Sequence, residues 1–232
     1  MEQAAFTANN YKPFKGSKPL KGFSVKNLGK RNYQEVWDLQ KNLQSKRING
    51  EIVDTLLLVE HEPVYTLGKN ADENHLLQHH PKDISVFHIE RGGDITFHGP
   101  GQLVGYPIID LHNYKLSISW YMRSLEQTII KTLNHFGIEG ERKEGLTGVW
   151  VKDEKIAAFG VRVSRWVTMH GFSLNVNTDL SYYDGIIPCG IFEYGVTTMQ
   201  KILGDEVEMK NVKQKLIHEF SIVFNQENLE VA

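Results

Sequence analysis

Strand-like runs crowd the middle of the chain without a helix between each pair, and this ordering constrains the fold most. Helical periodicity predicts a helix over Asn32–Arg47, where Val36, Leu39 and Leu43 share one side and Tyr33 and Trp37 flank them. Asp54–Gly68 reads as a strand that Pro63 closes and that resumes at Val64. Asp83–Gly93 and Gln102–Leu111 read as two more strands, which makes Arg91–Leu103 the turn between them. Ser117–Gly137 has helical spacing at Met122, Leu125, Ile129 and Leu133, with Ser117 as cap and Gly137 as stop. Thr147–Val176 reads as three strands with short turns, and Glu208–Gln226 as a closing helix. Strands grouped between helices, without a strict strand–helix–strand rhythm, point to an α+β fold rather than a doubly wound sheet.

A chain of 232 residues holds one large domain or two small ones. No linker composition interrupts it, so a single catalytic body over residues 32–225 is expected, with a basic leader over 1–31 and a tail over 226–232. The leader carries Lys12, Lys15, Lys18, Lys21, Lys26, Lys30 and Arg31 against one acid, Glu2. It reads as a solvated or edge segment, or as a landing surface for an acidic partner. A net charge of −2 argues against a whole-molecule nucleic-acid binder. One cysteine, Cys189, excludes an intrachain disulfide. No apolar run approaches the roughly 18 residues of a membrane helix, and the N-terminal residues lack a signal-peptide core. The expectation is a cytoplasmic protein with no membrane partner.

The stretch "RGGDITFHGPGQL", Arg91–Leu103, holds four glycines and a proline beside Arg91, Asp94 and His98. A phosphate loop requires Gly-Lys-Ser/Thr, which is missing. "GPGQLVG" misses the dinucleotide pattern by one position and precedes a strand where a helix is needed. A hairpin connection explains Gly92, Gly93, Gly99 and Gly101, but not why Arg91 and His98 accompany them.

His75, His79 and His80 cluster without a His-Glu-x-x-His pattern or paired cysteines, which favours a surface cluster over zinc. Cys189, between Pro188 and Gly190, reads either as a small buried hydrophobe or as a loop nucleophile. Lys155 opens "KIAAFGVRV" on the face shared by Ala157, Phe159, Val161 and Val163. It is either a snorkelling residue at a turn or a partly desolvated amine.

"RGGDITFHGPGQL", "KIAAFGVRV", "MHGFSLNVN" (Met169–Asn177) and "PCGI" (Pro188–Ile191), in that order, resemble the octanoyl-[acyl-carrier-protein]:protein N-octanoyltransferases, the lipoyl(octanoyl) transferase family. The resemblance spans roughly Leu56 to Met199. It implies a mixed sheet flanked by helices, similar to the catalytic domains of biotin protein ligase and lipoate ligase. It implies a catalytic dyad of Cys189 and Lys155. It implies acyl-chain contacts from Arg91, Gly92, Gly93, Asp94, Ile95, Thr96, Phe97 and His98, then from Ala158, Phe159 and Gly160, and from Gly171, Phe172 and Ser173. His98 and His170 are then orienting or structural groups. Phe97 departs from the tyrosine frequent in the family. Lipoate ligases typically show Ser-Gly-Gly-Gly followed by Tyr-His-Asp, whereas this chain has Arg-Gly-Gly and then Phe97-His98-Gly99.

The implied donor is octanoyl on the phosphopantetheine of acyl carrier protein. The implied acceptors are lipoyl domains of 2-oxoacid dehydrogenase complexes and the glycine cleavage H protein. No ATP, metal or nucleic acid is implied, and the chain is read as a monomer. An ATP-dependent lipoate ligase, a lipoyl or octanoyl amidotransferase and a non-catalytic acyl- or lipoyl-domain binding protein are the alternatives.

Overall fold

A computed structural model describes residues 23–187 and 194–225. A seven-stranded sheet runs through the centre. Six strands form the order β1 (Phe23–Arg31), β2 (Asp54–His61), β6 (Gln102–Ile108), β9 (Val167–Asn175), β8 (Glu154–Ser164), β10 (Gly195–Val196), and β7 (Val149–Val151) also pairs with β8. β1 runs parallel to β2 and β10 parallel to β8, while β2–β6, β6–β9, β8–β9 and β7–β8 are antiparallel. The sheet is therefore mixed, as the resemblance implies. A second sheet has the order β4 (Ser85–His88), β3 (Val64–Leu67), β5 (Ile95–His98).

The central strands are buried on both faces. β2 shows why: Leu56 and Leu58 join one core cluster, and Leu57 and Val59 join another, as strand alternation requires. The first face is covered by α2 (Ile118–Asn134) and α3 (Met209–Asn225), through Tyr121, Leu125, Ile129 and Leu133 and through Val212, Leu216 and Phe220. The second is covered by α1 (Tyr33–Ile48), through Val36 and Leu43. Helices on opposite faces shield the sheet from water and leave its edges for other uses.

Helix ends follow the sequence closely. Asn32 caps α1 by accepting from Gln34 N–H at 2.9 Å, and Ser117 caps α2 by accepting from Trp120 N–H at 3.2 Å. α2 stops at Asn134, and Gly137 then turns the chain at φ +72°.

Two expectations change. Residues 23–31, assigned by sequence to the leader, form edge strand β1, with Phe23 and Val25 in the core. Apolar residues at alternate positions outweigh the local basic charge there. Arg91–Leu103 is more than a turn. Ile95–His98 is a strand that pairs antiparallel with β3, so this stretch supplies one of the second sheet's three strands. Lys12, Lys15, Lys18 and Lys21 lie outside the described residues.

Candidate active site

A cavity opens where the second sheet meets β6, β8 and β9. Twelve of the fourteen acyl-contact residues named from the sequence line it: Arg91, Gly93, Asp94, Ile95, Thr96, His98, Ala158, Phe159, Gly160, Gly171, Phe172 and Ser173. Lys155 lines it too. The stretch around Arg91 is far in sequence from the β8–β9 hairpin, and the fold brings the two to one wall.

Gly92 and Phe97 are not on that wall. Gly92 serves the backbone: its N–H donates to Val161 O at 3.0 Å and ties the Arg91–Asp94 loop to β8. Phe97 points the other way. Its ring stacks on Tyr182 at 4.6 Å and packs on Tyr65 inside the core of the second sheet. A tyrosine hydroxyl at this position would therefore not enter the cavity.

Arg91 is buried, and its guanidinium bonds Thr66 and its own loop. Nη2 donates to Thr66 O at 2.6 Å and to Thr66 Oγ1 at 3.0 Å, and Nη1 donates to Gly92 O at 3.1 Å. The arginine thus clamps the glycine-rich loop onto β3. Gly160 makes the approach possible: a Cβ there would stand 2.8 Å from both Arg91 Cδ and Gly92 O. Asp94 fixes the loop's far end, with Oδ1 accepting from Ile95 N–H at 2.7 Å and Oδ2 bonded to His75 Nδ1 at 2.5 Å. Among the described residues, no three His, Cys, Asp or Glu side chains converge to hold a metal ion.

Lys155 is 9 % exposed. It sits directly across from Trp150 in the β7–β8 ladder, and its Nζ lies 4.7 Å from the Trp150 ring centroid. On its other side Val196 of β10 pairs with it, and Thr197 N–H donates to Lys155 O at 3.0 Å. Cys189 lies outside the described residues. Tyr194, where the described chain resumes, brings its ring 5.1 Å from Trp150.

Sequence reasoning named His98 and His170 but missed Tyr33 and Tyr106, which line the cavity with them. Tyr33 opens α1 and carries no motif that would reveal it. His98 Nδ1 contacts Gln102 Oε1 at 2.7 Å, which makes that nitrogen the donor. Burial, then His61, pushes the His98 pKa down to about 3. His61 Nδ1 donates to Arg31 O at 3.1 Å, and its Nε2 accepts from Tyr106 Oη at 2.9 Å. Burial lowers His61 to about 4. Burial, then Arg91 and Arg162, lowers His170 to about 3. Three neutral imidazoles therefore line the cavity or stand behind it. Gln102 Nε2 links the floor, donating to Asn175 Oδ1 at 2.8 Å and Tyr183 Oη at 3.1 Å.

A partly open groove with glycine-thinned walls and neutral polar groups suits a slender uncharged chain, and a buried lysine is part of its lining. Residues 32–221 match the lipoyl protein ligase A/B catalytic domain. The fold resembles that of a lipoate-protein ligase A bound with ATP, with TM-score 0.64 and 13% identity, covering 87% of this chain and 84% of that one. It also resembles biotin protein ligase from Aquifex aeolicus, with TM-score 0.50 and 14% identity, covering 86% of this chain and 68% of that one. These likenesses show the fold alone.

Sequence narrows the class. An octanoyltransferase of Christiangramia forsetii is 45% identical over 228 residues, covering 89% of this chain and 97% of its own. One from Gloeobacter violaceus is 50% identical over 177 residues, covering 76% and 79%. The chain belongs to the octanoyltransferases of the lipoyl protein ligase A/B family, which are acyltransferases. Among the described residues no helix is long and apolar enough to cross a membrane.

Proposed function

We propose that the protein moves an octanoyl group from the phosphopantetheine thiol of acyl carrier protein to a lysine of a lipoyl domain, by way of a thioester on Cys189. The observation that carries the reading is the cavity itself. It joins the glycine-rich stretch to Lys155, and Val196, which follows Cys189 in the chain, pairs with that lysine.

The chemistry follows in two steps. The Cys189 thiolate attacks the donor carbonyl, the carrier's sulfur leaves, and one thioester replaces another with little change in free energy. No ATP is needed to reach the acyl-enzyme. The acceptor lysine amine then attacks that carbonyl, the amide forms, and Cys189 leaves as thiolate. A free lysine is mostly protonated near neutral pH, and neutralising it costs roughly 4–5 kcal/mol. Lys155 and the departing thiolate are the groups that can take the proton, and they act as a coupled pair. Meanwhile the walls formed by Gly93, Gly160 and Gly171 hold the alkyl chain. No metal takes part, and the protein works as a cytoplasmic monomer on lipoyl domains of the 2-oxoacid dehydrogenase complexes and the glycine cleavage H protein.

The test is transfer from octanoyl-acyl carrier protein to an apo lipoyl domain, followed by acceptor mass with and without ATP. Transfer at the same rate in both supports the reading. Transfer only with ATP would assign the chain to ligase chemistry.

A further inference from the structure

Tyr33 is the first residue of α1 and is only 2 % exposed, yet it lines two separate hollows. One is the acyl cavity, where it stands with His98 and Tyr106. The other is a surface groove that Pro63, Val64, Ile84, Phe87 and Tyr182 also line. Ring contacts place Tyr33 between the two. Its ring stacks on His98, with centroids 6.1 Å apart and planes 8° from parallel, and its centroid lies 5.3 Å from that of Phe87. His98 lines the cavity and not the groove; Phe87 lines the groove and not the cavity.

The ring is held where it is. Asn32 Oδ1 accepts from Gln34 N–H at 2.9 Å and fixes the helix start that carries Tyr33. His61 and Trp37 flank the ring at 5.1 Å and 6.3 Å, and Val64 and Ile89 complete its buried cluster. A ring packed on this many sides cannot swing aside without opening a void.

Sheet register sets this ring away from Lys155. Val104, Ser173 and Ala158 form one row across β6, β9 and β8, and Gly105, Phe172 and Phe159 form the next. That direction leads away from Lys155 along β8, and Tyr106 comes one residue beyond the second row. His61 ties Tyr33 to this region, with its ring 5.1 Å from Tyr33 and 5.8 Å from Tyr106. From Lys155 to Phe159 the strand advances roughly 13 Å, comparable to an extended octanoyl thioester.

We propose that the Tyr33 ring is the stop that sets acyl-chain length. A chain whose carbonyl is held near Lys155 runs along β8, its methyl end meets this ring, and longer chains are excluded. This inference rests on the reading of the cavity as an acyl pocket. An aromatic ring suits a methyl terminus, because the contact is apolar and needs no hydrogen bond. Without the ring the cavity joins the groove, and extra methylenes gain a path past Phe87 and Val64.

The probes are octanoyl- and dodecanoyl-acyl carrier protein, competing for transfer to an apo lipoyl domain, with the two products separated by acceptor mass. The wild type should favour octanoyl strongly. In Tyr33→Ala the dodecanoyl-to-octanoyl ratio of kcat/KM should rise about tenfold or more, since each added methylene that finds cover is worth roughly fourfold. Tyr33→Phe keeps the ring and should keep the wild-type ratio. Should Tyr33→Ala fail to fold, Tyr33→Leu leaves part of the space open and carries the same expectation with a smaller rise. Equal transfer of both chains by the wild type would overturn the stop. So would a ratio that stays at the wild-type value in a folded Tyr33→Ala or Tyr33→Leu, or one that rises as much in Tyr33→Phe. Failure of the wild type to transfer octanoyl would instead remove the acyl-pocket reading, and this inference with it.

Discussion

Lys155 Nζ rests 4.7 Å from the centroid of the Trp150 ring, directly across the β7–β8 ladder, and the stem of Lys155 is bounded by Gly148, where a Cβ would come 3.1 Å from Lys155 Cε. The indole face attracts the lysine nitrogen and fixes where it stands. Such contacts are worth roughly 0.5–2 kcal/mol. Trp150→Leu should therefore slow formation of the acyl-enzyme by about threefold to thirtyfold, while Trp150→Phe, which keeps an aromatic face, retains most of the rate. Single-turnover rates with octanoyl-acyl carrier protein, taken well below the melting temperature, check this. Equal rates in the two variants would remove the ring from the account.

Gly160 sits where the Arg91 loop presses on β8. A methyl group would meet Arg91 Cδ and Gly92 O, and backbone cannot retreat as a flexible side chain can. Gly160→Ala should lower stability by about 1–3 kcal/mol, the range for forced overpacking. It should also raise KM for the acyl donor, because Gly160 lines the cavity. Urea unfolding and steady-state kinetics together test the pairing. A variant with unchanged stability would mean that the loop is not clamped there.

The buried histidines predict an acid-sensitive fold. His61, His98 and His170 are held near 4, 3 and 3 in the folded chain, below the ordinary value of 6.5. The unfolded chain takes up protons first as pH falls through 6.5, so stability drops between about pH 6.5 and 4, by up to about 1.4 kcal/mol per unit for each histidine. Asp38 and Asp179 are lowered from 3.8 and act only below that window. Unfolding free energies at pH 7 and pH 5 measure the slope. A flat profile would contradict the neutral burial of these rings.

Phe97 offers a test of side-chain direction. Its ring stacks on Tyr182 and faces away from the cavity. Phe97→Tyr should change kcat/KM by less than about twofold while shifting stability by about 1 kcal/mol, since the added hydroxyl enters a packed aromatic core. A large kinetic effect would place the ring in the substrate's path.

Much of this site is visible in the chain before it folds. Arg91, Gly93 and Lys155 stand out because glycine-rich backbone beside charge, and a lysine opening an apolar strand face, are locally unusual. The helices around the sheet follow from their spacing and their Asn32 and Ser117 caps. What was hidden depends on long-range packing. Ile95–His98 becomes a strand only because β3 supplies its partner, and Phe23 and Val25 turn a basic segment into a sheet edge. Tyr33, Tyr106 and His170 meet at the cavity from α1, β6 and β9, and no local pattern announces that meeting. The resemblance makes His170 an orienting or structural group, and its left-handed backbone is not visible in the sequence.

The most direct test of the central claim is the intact mass of the protein after mixing with octanoyl-acyl carrier protein in the absence of ATP. The account predicts one added octanoyl group, released by hydroxylamine and absent from Cys189→Ser. Transfer to a lipoyl domain without any such adduct, or an adduct that persists in Cys189→Ser, would contradict it.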